Sequence, residues 1–282
     1  MSETRVAIIT GGASGIGLAT SIALGSRKAG WEIHILDYNP AAAKAVDDVH
    51  GGIFHQVDVT DYQALGVVFR DIFRRHKRLD FVYANAGVGE RADEFYDRTE
   101  ASNSDEPPPL PRGTQKIIDI CMTAATTTAY LAQHYFRLSP ESTKGERVLT
   151  FTASCGALYP SFSSPVYTAT KHGVLGLMRC LDRYMWRRDQ IRVNAVLPGT
   201  VKTNLLTQEL WQQFPEEYFT PVSQIAKAVL IFLDNKDEAR PDLKVIKGQA
   251  IECSGQNLHY RDPYPFCDEG MERVMAATDT GK

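Results

Sequence analysis

The chain contains no run of 18 apolar residues, so no segment is expected to span a bilayer as a helix. Cysteine is sparse: Cys121, Cys155, Cys180, Cys253 and Cys267 are scattered singly through 282 residues. Their odd number and the lack of any C-x-x-C pair argue against a disulfide framework or a cysteine zinc site and fit a reducing compartment. There is no excess of one charge. Against 34 acidic residues stand 31 Lys and Arg, and the net charge of −3 builds no basic field for nucleic acid or an anionic membrane. Repeats, low-complexity tracts and basic-aromatic motifs are missing. No two of the seven histidines stand four apart beside a carboxylate, so no metal site is expected. The opening Met-Ser-Glu-Thr-Arg runs straight into a strand-like segment without a leader pattern, and the last residues form neither a prenylation box nor a peroxisomal tripeptide. These features predict a cytoplasmic enzyme.

What is present is a rhythm. Hydrophobic residues make up 43% and charged residues 23%, ordinary for a globular chain. Arg5–Thr10 is a short apolar run of the kind buried on both faces of a sheet, followed by the glycine turn Gly11-Gly-Ala-Ser14-Gly15-Ile16-Gly17 and a helical pattern. Strand, glycine turn and helix in that order make a phosphate cradle, since glycines admit close backbone approach and the helix start presents free N–H groups to an anion. A second strand over 31–36 ends at Asp37, about 20 residues past the turn, where a carboxylate accepts hydrogen bonds from ribose hydroxyls and repels a 2′-phosphate. That favours NAD over NADP; a turn or N-cap role before Asn39-Pro40 is the alternative.

Further strands are expected at 52–57, 79–84, 148–153, 190–197 and 248–253. Helices are expected at 40–50, 62–77, 115–136, 166–188 and 222–234. The alternation predicts an α/β fold: a doubly wound, Rossmann-type parallel sheet of about seven strands with helices on both faces. Residues 1–255 read as one dinucleotide-binding domain, interrupted by a polar, proline-rich surface insertion at about 90–113. Residues 256–282 read as a tail packing on the body or a partner. The apolar segment 204–219, with Leu205, Leu206, Leu210, Trp211, Phe214, Tyr218 and Phe219, sits where a substrate lid would lie.

The chemistry centres on 154–171. Tyr167 and Lys171 are four apart and share a helix face. Ser154 follows a strand thirteen residues upstream of the tyrosine. A phenol, an ammonium and a hydroxyl at one point make a proton-transfer site, and a neighbouring positive charge favours the phenolate. Alone, Y-x-x-x-K is an ordinary helix face with a buried tyrosine. His172 reads as outer support or helix surface.

Five stretches fall in order: Thr10-Gly11-x-x-x-Gly15-Ile16-Gly17; Asp58-Val59; Asn85-Ala86-Gly87; Ser154 with Tyr167 and Lys171; and Pro198-Gly199-x-Val201-x-Thr203. Together they resemble the short-chain dehydrogenase/reductase family over residues 4 to about 255, with a tyrosine neighbourhood similar to hydroxyprostaglandin dehydrogenase-like and fungal biosynthetic members. The resemblance implies Tyr167 as general acid/base and Ser154 as the group that orients the substrate oxygen. It implies Lys171 as the residue that lowers the phenol and binds the nicotinamide ribose. Asp58 and Val59 would contact adenine, Asn85-Ala86-Gly87 would floor the cofactor, and Val201 and Thr203 would meet its carboxamide and phosphate side. It further implies NAD(P)-dependent hydride transfer to or from a secondary alcohol or ketone of a bulky apolar small molecule, and a homodimer or homotetramer formed through helices 115–136 and 166–188. One position departs: Asp119-Ile120-Cys121 stands where the family carries an asparagine thought to hold a relay water. Three accounts follow: a relay through a backbone carbonyl and water, slower proton exit, or a non-redox isomerase, cyclase or regulatory role.

Overall fold

The computed structural model describes residues 4–27, 30–91, 95–96, 105–111, 113–205, 211–212 and 214–279. Eight strands form one sheet in the order β3-β2-β1-β4-β5-β6-β7-β8. They are β1 (Arg5–Thr10), β2 (Trp31–Asp37), β3 (Gly52–Gln56), β4 (Phe81–Ala84), β5 (Val148–Thr152), β6 (Arg192–Pro198), β7 (Ala250–Ser254) and β8 (Asn257–Tyr260). All neighbouring pairs are parallel except β7 and β8. The expected Rossmann-type fold is present, with a correction in strand number. The turn Gly255-Gln256, with Gly255 at φ 55°, folds Asn257–Tyr260 back as an antiparallel edge strand. Its polar-apolar alternation, open on one face, did not mark it as part of the sheet.

Strands β1, β4, β5 and β6 are buried along almost their whole length because both faces are covered. Val6 and Ile8 join one core layer while Ala7 and Ile9 join the other, as a period of two demands. Helices α2 (Tyr62–His76), α3 (residues 114–138) and α4 (Pro165–Asp189) pack on the first layer. Helices α1 (Gly15–Gly25) and α5 (Val222–Asp234) pack on the second. A last helix, α6 (Glu269–Ala277), lies on the surface with no buried residue. The chain leaves β1 towards β2 and β3, then returns to place β4 on the other side of β1. The crevice at that reversal opens at the carboxyl ends of the strands, where open α/β sheets bind ligands.

Two details depart from simple periodicity. Helix α3 is α-helical over Thr114–Ile118, π-helical over Asp119–Thr123 and α-helical again over Ala124–Leu138. The segment 40–48, expected as a helix, is a 3-10 stretch capped by Asn39, whose side chain accepts from the Ala41 N–H. At the far end of the sheet, buried Arg192 donates to the carbonyls of Gly145, Phe232 and Leu233. It thereby satisfies the last-turn carbonyl of Leu233 and shares that of Phe232 with the capping Asn235 N–H. Among the described residues no helix is long and apolar enough to cross a membrane.

Arg192→Met removes those donors while keeping much of the volume. Urea denaturation is expected to show a loss of about 3 kcal/mol or more, because several buried carbonyls are left unpaired; a change below about 1 kcal/mol would show that water replaces the guanidinium there.

Candidate active site

A cavity of about 820 Å³ occupies the crevice. It is lined at one end by Gly11, Ser14 and Gly15 and at the other by Ser154, Tyr159, Tyr167 and Phe214.

The cradle end is built by backbone. Gly11 (φ 60°) and Gly15 (φ 49°) hold left-handed conformations that side chains resist. A Cβ on Gly17 would lie 2.1 Å from the Gly11 carbonyl oxygen, so only glycine lets α1 start so close to the turn. Helix α1 has no acidic residue in its first turn and Ser14 makes no side-chain cap, which leaves its opening N–H groups for an anion. These residues fit the diphosphate of a dinucleotide. Asp37 ends β2 at the cavity wall; its Oδ2 accepts from the Ala13 N–H at 3.2 Å and its Oδ1 from the Asn39 N–H at 3.1 Å. The carboxylate therefore serves the turn before Pro40 and the glycine loop while still facing the cavity. Asp58 accepts from the Thr60 N–H and hydroxyl, and with Val59 and Val57 lines the same end.

Asn85 ties the two ends together. Its Nδ2 donates to the Thr10 and Gly11 carbonyls at 3.0 and 3.2 Å, and its Oδ1 accepts from the Thr152 hydroxyl at 2.9 Å. Ala86 and Gly87 follow as cavity wall, and a Cβ on Gly87 would meet Lys171 Nζ at 3.6 Å and Cys121 Sγ at 3.9 Å. Pro198 and Gly199 leave β6, with the Gly199 N–H bonded to the Cys253 carbonyl at 2.9 Å. Val201 and Thr203 then reach the glycine loop, where the Thr203 methyl lies 3.2 Å from the position a Gly15 Cβ would take. Ile16 lines the cavity and packs on the second core layer.

Ser154, Tyr167 and Lys171 converge. Ser154 caps a short turn, its Oγ accepting from the Gly156 N–H at 3.1 Å. Tyr167 and Lys171 project from the first turns of α4, with Lys171 Nζ 5.5 Å from the centroid of the tyrosine ring. Lys171 donates to the Thr152 carbonyl at 2.8 Å. Burial pushes the Tyr167 phenol well above its ordinary value; Cys121 adds to the rise, and a hydrogen bond with Ser154 opposes it. Burial likewise pushes Lys171 down, with Cys121 working against it. A phenol lowered by its lysine was the expectation; burial is the largest influence on both groups here, and it pushes the phenol up and the lysine down.

Several contributors carried no sequence signal. Glu90, assigned to the polar surface insertion, is buried, and its Oε2 accepts from the Tyr167 N–H at 2.7 Å. The carboxylate takes over an opening N–H of α4, whose own N-cap Ser164 makes no side-chain cap. Cys121 lies in the π-helical turn, its thiol donating to the Val88 carbonyl at 3.3 Å while its sulfur faces the Val88 N–H at 3.5 Å. Tyr159 on the cavity wall meets Glu252 at 3.2 Å and Arg261 at 3.3 Å, so the residue after β8 braces this wall of the cavity. From the expected lid, Trp211 is buried, its indole N–H donating to the Thr203 carbonyl at 2.8 Å, and it packs on Phe214 and Phe219. Leu206 and Leu210 lie outside the described residues, as do 92–94, 97–104 and 112 of the insertion.

The reversed-order sheet with a glycine turn beside a deep cavity is that of the Rossmann-type dinucleotide folds. A model of the short chain dehydrogenase family matches residues 5–213. The chain is 42% identical over 274 residues to short-chain dehydrogenase/reductase prx7 of Penicillium rubens, covering 93% of this chain and 96% of that one. It is 25% identical over 275 residues to the rat 15-hydroxyprostaglandin dehydrogenase [NAD(+)], covering 92% and 94%. Among solved structures, levodione reductase superimposes with a TM-score of 0.70 at 23% identity, over 89% of this chain and 96% of that one. The 3-ketoacyl-(acyl-carrier-protein) reductase from Brucella melitensis, complexed with NADH, does so with 0.71 at 20% identity, over 89% and 97%. The chain belongs to the short-chain dehydrogenase family. It is an oxidoreductase that acts on CH–OH or keto groups of a small molecule with a nicotinamide cofactor.

Gly17→Ala forces a Cβ into the Gly11 carbonyl. Thermal melts with added NAD should show a wild-type rise and none in the variant; an equal rise in both would detach the cradle from cofactor binding.

Proposed function

We propose that this protein transfers hydride between NAD(H) and a secondary alcohol or ketone carried on a bulky apolar molecule such as a terpenoid, steroid, polyketide or lipid-like compound. The observation that carries the proposal is the meeting of Ser154, Tyr167 and Lys171 in the cavity that also holds the glycine cradle. Bound nicotinamide would supply the hydride donor or acceptor. Ser154 would hold the substrate oxygen, Tyr167 would exchange its proton, and Lys171, held by the Thr152 carbonyl, would bind the nicotinamide ribose and pass the proton outward. The protonated phenol is the form that delivers a proton to a carbonyl, and it must give up that proton in the enzyme for alcohol oxidation. Leu205, Trp211 and Phe214 make the substrate end apolar, which supports the substrate class.

The role of Cys121 follows from its contacts. It is committed to Val88 on both sides of the thiol. A π turn inserts one residue into the ladder and so frees a carbonyl in its neighbourhood from its usual donor. These contacts support a backbone carbonyl with water as the relay, the account preferred over slower proton exit or a non-redox role. NAD is preferred because Asp37 faces the ribose end, and the name of the rat relative carries NAD(+). The oxidative direction, a biosynthetic role beside the fungal relatives, a cytoplasmic setting and a homodimer or homotetramer built on α3 and α4 complete the proposal.

Tyr167→Phe should lower turnover with a panel of secondary alcohols by at least about 10²-fold while NAD still raises the melting temperature; near-normal turnover would remove Tyr167 from the chemistry. In the same assay NAD should stabilise the wild type more than NADP, and Asp37→Ser should narrow the gap. A clear NADP preference in the wild type would overturn the reading of Asp37.

A further inference from the structure

Three histidines far apart in sequence meet at the edge of the sheet. His34 lies in the middle of β2 between Ile33 and Ile35 and is 1% exposed. His55 comes from β3, and His76 is the last residue of α2. Glu32, two residues before His34 and on the same face of β2, completes the group. None of the four lines the catalytic cavity.

We propose that Glu32, His34 and His76 form a binding site for a divalent transition ion of the zinc type, with His55 as the outer partner of His34. The three donor atoms stand at metal-ligand spacing. His34 Nε2 and His76 Nε2 are 3.0 Å apart, His76 Nε2 and Glu32 Oε1 are 3.1 Å apart, and His34 Nε2 and Glu32 Oε1 are 3.8 Å apart. A tetrahedral ion with bonds of about 2.0–2.1 Å separates its ligands by about 3.3–3.4 Å, which these distances bracket. A point about 2 Å from all three atoms lies just out of their plane.

Hydrogen bonding without an ion leaves this arrangement incomplete. A neutral imidazole carries one proton. One proton can bridge the two Nε2 atoms, but it cannot serve Glu32 Oε1 as well. That oxygen is buried and finds no well-aligned donor of its own; the near one, His76 Nε2 at 3.1 Å, is shared with His34. The Arg75 guanidinium stands 3.2 Å away without hydrogen-bond geometry, and its side chain is 64% exposed. On the other side of the ring, His34 Nδ1 faces His55 Nε2 at 2.8 Å. Assigning the His34 proton to Nδ1 satisfies that contact and leaves the Nε2 lone pair directed at the shared point. This is the outer-partner arrangement that orients metal-binding histidines. The fourth position opens towards solvent past Glu32 and His76, the two partly exposed members. An ion here would staple the end of α2 to β2, away from the chemistry.

The test is calorimetric titration of Zn²⁺ into the full-length chain stripped with a chelator, in a background carrying Cys180→Ser and Cys267→Ser so that exposed thiols do not bind the ion. One ion per chain should bind and raise the melting temperature, and Co²⁺ should show the visible absorption of a tetrahedral N/O site. Glu32→Gln and His76→Ala, both at the rim, should each weaken binding at least about 10-fold. Their circular dichroism without metal should match the wild type. Lack of stoichiometric binding by the wild type overturns the proposal, and so does binding that neither substitution weakens; the histidines would then be a hydrogen-bonded chain only.

Discussion

The side chain of Asn85 holds the walls of the large cavity together. Its amide donates to the carbonyls of Thr10 and Gly11, and its oxygen accepts from Thr152. The Thr10 hydroxyl in turn accepts from the N–H groups of Asn85 and Ala86. The Thr152 carbonyl then holds Lys171. One network thus runs from the glycine loop through β4 and β5 to the lysine of α4. Moving any member would shift the glycine loop relative to Tyr167 and Lys171, and buried networks of this kind are costly to satisfy in part.

Desolvation explains the state of the groups at the other end. Tyr167 is pushed up and Lys171 down, each largely by burial. Both groups sit in a water-poor setting, where an incoming charged ring would be screened weakly. Glu90 places its carboxyl group on the Tyr167 N–H in the first turn of α4 and so anchors the backbone that carries the phenol.

The edge of the sheet works under a different constraint. His34 is buried on one face of β2 with His55 and His76, and burial together with His55, His76 and Arg75 pushes it down to about 3. Such a residue stays neutral and needs partners for both ring nitrogens, which His55 and His76 supply. Polar residues so far from the cavity are an expense for stability unless something gathers them.

Periodicity and local motifs determined much of this protein. Apolar runs of strand length, the glycine turn between strand and helix, the acidic residue ending β2 and the four-residue spacing of Tyr167 and Lys171 are short-range patterns. They made the doubly wound sheet and the cavity-lining residues legible before any coordinates. The tertiary structure alone decided the rest. Glu90 reaches a backbone N–H 77 residues away, Tyr159 and Arg261 meet across 102, and His34 and His76 across 42. Cys121 gained its meaning from a π turn that no period announces. Strand β8 pairs by a tight turn rather than by a buried pattern. Contacts between residues far apart in sequence are set by how layers stack, and side-chain spacing along the chain carries no record of that stacking.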